Sequence, residues 1–294
     1  MKLAIVYNDD LPVDKLIESG EKYFDKVLAL PVEGLRYVFD GEENKVMYKD
    51  SNLSEFDAVY FRIHDFDLFF IEQVVEILKD RNVYVQMDSD SGLIASDKFM
   101  AMMWLRENGV PVPDSIYTLS PEVAAKASES LGYPIVVKLL SGYGGKGVMR
   151  ASEKEELRPI MDTLDMLEQS ICLQDFIDGE TENVRIVVVG DKTFSMKFVP
   201  EKNEWRASPG SGGKKSEFDA SEDVREIALK AAEVAGFDLC DVDLILSKDG
   251  IYVVEIDLIQ VTDERACEVV GKDLREEIVS HIHERVLDKE SGLE

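Results

Sequence analysis

Histidine and cysteine are scarce, three of each in 294 residues. Cys172, Cys240 and Cys267 are scattered, odd in number and without C-x-x-C spacing. That argues against a disulfide framework or a thiolate metal site, and a reducing cytoplasm is the expected location. His64 follows an apolar run among acids, while His281 and His283 are two apart in a helical stretch and so face different ways. Neither a histidine metal site nor a Ser–His–Asp triad is supported. No apolar run approaches the roughly 20 residues of a membrane span. The five apolar residues after Lys2 are too few for a signal-peptide core, so Met1–Tyr7 reads as a first strand. Positive charge is the other shortage: 33 Lys and Arg stand against 60 Asp and Glu, a net charge of −27. Such a surface repels nucleic-acid phosphates and anionic membranes, so neither is an expected partner. The acidity fits either adaptation to high salt or a generously acidic soluble surface. It bears on solubility and not on fold.

What is present is enough apolar residue, 45% of the chain, for one large core or two to three smaller ones. Residues 1–95 read as a small α/β unit. Leu3–Tyr7, Lys26–Pro31, Ala58–Ile63 and Val83–Met87 are strand-like, and Val13–Phe24 and Leu68–Lys79 have helical spacing. A second unit begins near Ser96, where Ser96 or Asp97 caps a helix to about Asn108, stopped by Gly109. Ser120-Pro121 opens another helix that ends at Gly132. Further helices are expected over Glu153–Leu167, Ser221–Ala235 and about Lys272 to Leu287. Strands are expected over Pro134–Leu140, Ile171–Phe176, Val184–Val189, Val242–Leu246 and Ile251–Asp257, the last two paired around the turn 247–250.

Three patterns carry chemistry. In Pro134–Val148 a strand ends on Lys138, and Gly142, Gly144, Gly145 and Gly147 follow within six positions, with Lys146 among them. Glycines let backbone N–H groups approach phosphate oxygens, and lysine supplies the countercharge. No G-K-[ST] closes the run, so it is no Walker A loop; a plain hairpin turn is the competing reading. Second, Asp241-Val-Asp243 and Val253-Val-Glu255-Ile-Asp257 set carboxylates among apolar neighbours on adjacent strands. Residues two apart share a face, and converging carboxylates call for cations, for which oxygen-only ligands suit Mg2+. The alternative is an acidic sheet edge. Third, residues 196–215 hold Lys197, Lys202, Arg206, Lys214 and Lys215 against only Glu201 and Glu204. With Pro209, Gly210, Gly212 and Gly213 this reads either as a mobile basic loop receiving an anionic substrate or as a solvated loop with no task.

Together these pieces resemble the ATP-grasp superfamily, and most of all its RimK-like α-L-glutamate ligases. The resemblance runs over about residues 55–290 and rests on the order of Ser96-Asp-Lys98-Phe-Met-Ala, Pro134–Val148, Leu173–Ile177, Asn183-Val-Arg185 with Val189-Gly-Asp191, and Arg225 onward to Asp243. It implies a three-domain α/β fold, α+β in parts, with a Rossmann-like pre-ATP-grasp domain (1–95), a central lid (96–175) and a C-terminal part bearing the metal site (176–294). It implies that Lys98 and Lys138 hold ATP phosphates and that Gly142, Gly144, Gly145, Lys146 and Gly147 close over them. Gln174 would receive the adenine amino group, with the backbone of Asp175 and Ile177 completing the hinge, and Asp178 or Glu180 would take the ribose hydroxyls. Asp243, Glu255 and Asp257 would hold two Mg2+ ions, with Mn2+ as an alternative. Arg185 and Arg206 would stabilise the transferred phosphoryl group. The implied reaction is ATP-dependent C–N ligation of an amino acid, such as glutamate, to a carboxylate acceptor in a cytoplasmic homodimer or homotetramer, with Arg62 at the edge of the acceptor site. The chain departs from the family where Glu-x-Asn becomes Glu255-Ile-Asp257, and where an Asn- and Pro-Gly-containing loop becomes Leu258-Ile259-Gln260-Val261. It departs again where Arg-x-Asn becomes Arg206-Ala-Ser208 and a basic residue ahead of Gly212-Gly213 becomes Ser211. A nucleotide-binding relative with lost or altered ligase activity is the alternative.

Overall fold

The computed structural model describes residues 1–292 apart from 9, 40, 42, 64–67, 92–96, 140–146, 178–181, 203, 207–212 and 260. Near the N-terminus, β1 (Lys2–Tyr7) pairs in parallel with β2 (Lys26–Pro31), and α1 (Asp14–Gly20) crosses between them. The chain then makes an antiparallel meander of β3 (Leu35–Phe39), β4 (Asn44–Tyr48) and β5 (Ser51–Asn52). It returns to the first sheet with β6 (Ala58–Arg62), helix α2 (Leu68–Asp80) and β7 (Tyr84–Val85), giving the parallel order β2-β1-β6-β7. All of β6 is buried, as expected of a parallel strand covered on both faces. Alternation divides its burial. Leu3, Ile5, Ala58 and Tyr60 enter one core, while Ala4, Val6, Val59 and Phe61 enter another.

Helix α3 (Lys98–Glu107) follows, capped by the Asp97 carboxylate, which accepts from the N–H groups of Phe99 and Met100, both at 2.9 Å. It packs on helix α6 and strand β16 of the C-terminal sheet defined below. The next unit is an antiparallel sheet of order β10-β9-β11-β8. It is built from β8 (Ser115–Thr118), α4 (Pro121–Leu131), β9 (Ile135–Lys138), β10 (Val148–Ala151), α5 (Lys154–Met166) and β11 (Ile171–Asp175). Ile135, Val137, Ala151, Ile171 and Leu173 point to α4 and α5 and form a separate small core with Ala124, Leu157, Met161 and Leu164. The alternate residues Val136, Lys138, Arg150, Cys172 and Gln174 therefore line the opposite face.

The C-terminal sheet runs β14-β13-β12-β15-β16, all antiparallel. Its strands are β12 (Glu182–Val189), β13 (Lys192–Val199), β14 (Lys214–Glu217), β15 (Leu239–Ser247) and β16 (Gly250–Asp257). Helix α6 (Glu222–Ala235) covers one face through Val184, Ile186, Val188, Val242 and Leu244. Helices α7 (Glu264–Val270) and α8 (Leu274–Ser291) take Val187, Val189, Met196 and Phe198 on the other. No helix among the described residues is long and apolar enough to cross a membrane.

The N-terminal sheet is joined to the C-terminal one by backbone bonds from Asp88 N to Gly236 O (2.9 Å) and Asp238 N to Gln86 O (2.8 Å). Around Asp238, the Tyr84 hydroxyl donates to its carboxylate and His281 Nε2 lies 2.8 Å from it. Gly190 permits this approach: its φ is +60°, and a Cβ there would sit 2.3 Å from the His281 ring. The meander at 35–52, the strands β8, β10, β13 and β14, and helix α7 go beyond the elements read from sequence, and the first helix is shorter than the expected 13–24.

Candidate active site

The site lies where the polar face of the β8–β11 sheet meets the carboxylate-bearing face of β15 and β16. Asp241 stands opposite Asp257 and Asp243 opposite Glu255 in the ladder, so four carboxylates share one face of two neighbouring strands. The register shifts between Asp243 and Leu244, leaving Val254 as an extra residue on β16. Its carbonyl lies 3.5 Å from Lys138 Nζ, which reaches across from the end of β9. Lys98, the first residue of α3, forms an ion pair with Glu255. Arg185, opposite Asp243 on β12, grips that carboxylate with two bonds, Nε to Oδ1 at 2.6 Å and Nη2 to Oδ2 at 2.7 Å. Its Nη1 donates to Asp241 Oδ2 at 3.2 Å, and its guanidinium lies over the Phe198 ring.

These charges hold one another. Burial opposes the Lys98 charge, but Glu255, and more distantly Asp257 and Asp243, raise its pKa above the ordinary lysine value. The same pair holds Glu255 below the usual carboxylate range despite burial. Lys138 is lowered, first by burial and then by Lys98. Asp257 is the exception: burial and the neighbouring Glu255 push it up to about 7. Its Oδ1 accepts the Leu258 N–H at 2.8 Å. Four carboxylates here outnumber the three cations Lys98, Lys138 and Arg185, so the site favours a further cation. All its donors are oxygens, which fits Mg2+. Among the described residues, however, no three His, Cys, Asp or Glu side chains are gathered as a ready ligand set. Arg185 draws Asp243 toward β12 while Lys98 holds Glu255.

Lys98, Lys138 and Gln174 line one narrow cavity with Phe99, Met102, Ser115 and Cys172. Its volume of about 10 Å3 is the space of a single water. Gln174 is buried, and its Nε2 donates to Ser115 Oγ at 3.1 Å. Asp175 ends β11, its N–H bonded to Asp114 O at 2.8 Å, and burial raises its carboxyl. Ile177 follows, half-buried. Gly147 closes the hairpin from β9 to β10 with φ of +74°, its carbonyl accepting Leu139 N–H at 3.0 Å. Gly142, Gly144, Gly145, Lys146, Asp178 and Glu180 lie outside the described residues.

The structure thus gathers Lys98, Lys138, Arg185, Asp243, Glu255 and Asp257. Arg206 engages Glu204 in its own segment, Nε at 3.1 Å and Nη2 at 2.9 Å. The stretch 196–215 is not one loop: Lys197 lies on β13 and pairs with Glu182, and Lys214 and Lys215 lie on β14, where Lys215 pairs with Asp263. Strand pairing with β13 satisfies the backbone there, which the charge pattern could not reveal. Arg62 is buried at the end of β6, Nη1 3.4 Å from the Ile259 carbonyl. Sequence reasoning put Asp241 in the carboxylate pattern but not among the metal ligands, and left out Ser115. Asp241 was recoverable from its two-residue spacing to Asp243, but Ser115 needed the sheet register.

A model of the RimK-like ATP-grasp domain matches residues 95–282. A probable alpha-L-glutamate ligase of Histophilus somni (strain 2336) is 31% identical over 206 residues, 69% of each chain. Among solved structures, the RimK domain protein ATP-grasp from Sphaerobacter thermophilus superposes with a TM-score of 0.72 at 19% identity, over 96% of this chain and 99% of that one. The ATP-grasp ligase PsnB, complexed with minimal precursor, Mg and ADP, gives 0.72 at 16% identity over 97% of both chains. The chain belongs to the RimK-like ATP-grasp family. Its class is that of an ATP-dependent carbon–nitrogen ligase with the ATP-grasp fold.

Proposed function

We propose that the chain uses Mg-ATP to activate a carboxylate as an acyl phosphate and then joins it to an amine. Glutamate, or a similar amino acid, is the amine, and the acceptor carboxylate belongs to a small molecule, a coenzyme or a peptide. The observation that carries this reading is the meeting of Lys98 and Lys138 with the four carboxylates of β15 and β16. One side supplies charge for phosphates, the other oxygen ligands for a cation. The naming of relatives as glutamate ligases supports the choice of amine.

In this reading Lys98 and Lys138 bind the phosphate chain, and Gln174 accepts the adenine amino group through Oε1 while Nε2 stays on Ser115. Asp243, Glu255 and Asp257 are the residues that would hold Mg2+, which supplies neutralisation of phosphate charge when bound. Arg185 stands beside them as a fixed guanidinium for the oxygens of the transferred group, kept charged by Asp243 and Asp241. A carboxylate oxygen attacks the γ-phosphorus and ADP leaves. The amine nitrogen then attacks the acyl carbon, loses its proton, and inorganic phosphate leaves. No side chain serves as nucleophile, so the protein acts by alignment and charge. The division at 95 and 175 belongs to the same reading. A second reading, nucleotide binding without ligation, draws on the segment after Asp257: Leu258, Ile259 and Val261 are core residues, not polar substrate contacts.

ADP release with Mg-ATP, glutamate and a small-molecule cell extract, each omitted in turn, tests the proposal. Release that needs both glutamate and extract is expected, with a product heavier by one glutamyl residue. Tight ATP binding without release decides for the second reading. Glu255→Gln is expected to raise the Mg2+ concentration needed for turnover, and unchanged metal dependence would count against the carboxylate cluster.

A further inference from the structure

Outside the charged cleft, one side-chain cluster joins pieces of the fold that the proposed mechanism leaves separate. Arg150 on β10 stands opposite Val136, which in turn stands opposite Gln174, so the three form a row on the same sheet face as Lys138. The Arg150 guanidinium lies 5.4 Å from the Phe176 ring and 5.6 Å from the Trp205 ring. The two rings meet edge-on at 5.9 Å with an interplanar angle of 64°. Phe176 is the first residue beyond β11, between Asp175 and Ile177 of the candidate hinge. Trp205 sits between Glu204 and Arg206, which are bonded to each other through main chain and side chain. A guanidinium serving two rings at once is attracted by both and stacks as well as attracts, which an ammonium does less well.

We propose that Arg150 is a positioning residue: it clasps Trp205, and with it Arg206, to the hinge and to the nucleotide-facing sheet, so that nucleotide binding is transmitted to the Glu204–Arg206 segment. The inference rests on the nucleotide reading of Lys138 and Gln174. Its physical basis is that Arg150 on β10 shares a sheet face with Lys138 and Gln174, and Phe176 follows β11 of the same sheet, while Trp205 comes from the segment following β13 of the other. Arg150 and Phe176 tie that segment to the sheet through cation and aromatic contacts with Trp205.

The chain has two tryptophans, so Trp104→Phe leaves Trp205 as the sole tryptophan, excited selectively over the tyrosines. Trp104 lies on α3, its indole N–H bonded to Val234 O, away from the clasp. In that protein, Mg-ADP is titrated by calorimetry and by Trp205 fluorescence. An emission change that saturates with the calorimetric Kd is expected. Adding Arg150→Met should abolish the change while the ADP Kd stays within about threefold, and Arg150→Lys should restore part of it. The same emission change in the Arg150→Met protein overturns the clasp. So does a silent Trp205 in the parent when calorimetry records binding. Absence of calorimetric ADP binding in the parent overturns the nucleotide reading, and this inference with it.

Discussion

Replacing Asp257 with asparagine is expected to stabilise the metal-free protein at pH 8 and to change little near pH 4. In the folded chain burial, and then Glu255, push the Asp257 carboxyl from its ordinary 3.8 up to about 7. Between those values the folded chain keeps a proton that the unfolded chain has released. Stability therefore falls as pH rises through this window, and the loss is complete above about pH 7. A separation of roughly three pH units sets an upper limit of about 4 kcal/mol. Asp257 is half-buried, and solvent screening brings the expected figure nearer 2 kcal/mol. Asparagine keeps the shape and can still accept the Leu258 N–H, but carries no charge. Thermal unfolding in chelator between pH 4 and 8.5 reads the effect. The variant's Tm should pull ahead of the parent's with rising pH, by about 3 °C at pH 8. Mg2+ should narrow that gap by stabilising the parent more than the variant. A constant offset at all pH values, or a variant less stable at pH 8, would refute the reasoning.

Lys138→Ala should lower turnover by about a hundredfold or more, since it removes a charge aimed at the phosphates, while thermal stability stays close to that of the parent; normal activity refutes the assignment. Arg185→Met leaves Asp241 and Asp243 facing each other without their cation. It should cost about 3 kcal/mol or more in chemical denaturation, with Arg185→Lys recovering only part because lysine lacks the fork; an unchanged midpoint sinks this account. Gly190→Ala combines a left-handed backbone with a collision against the His281 ring. A loss of about 1–3 kcal/mol is expected, read as a lowered Tm, and a variant as stable as the parent shows that the ring moves freely.

The elements that sequence reading located are those specified by nearest neighbours. Asp97 caps α3 and Ser120 caps α4 through bonds to residues two or three positions along, and each stop lies at a glycine close by. The first parallel strands were visible as apolar runs because both of their faces are buried. The meander of β3 to β5 was missed because its short strands are half-exposed and take their pairing from each other. Strand β14 was hidden behind its lysines, of which Lys215 finds its countercharge at Asp263, 48 residues away.

The chemistry of the candidate site was equally divided. The sequence alone supplied the residue types suited to phosphate and cations: Lys98, Lys138 and the carboxylates at 241, 243, 255 and 257. Their spacing of two on strands also settled that the carboxylates of each strand share a face. Only the tertiary structure decided their company. Ladder register set Asp243 against both Arg185 and Glu255, a bulge turned the Val254 carbonyl toward Lys138, and the packing of α3 on β16 brought Lys98 to Glu255. The Arg185, Lys138 and Lys98 meetings join residues 58, 116 and 157 positions apart, where no local propensity acts and burial fixes the register.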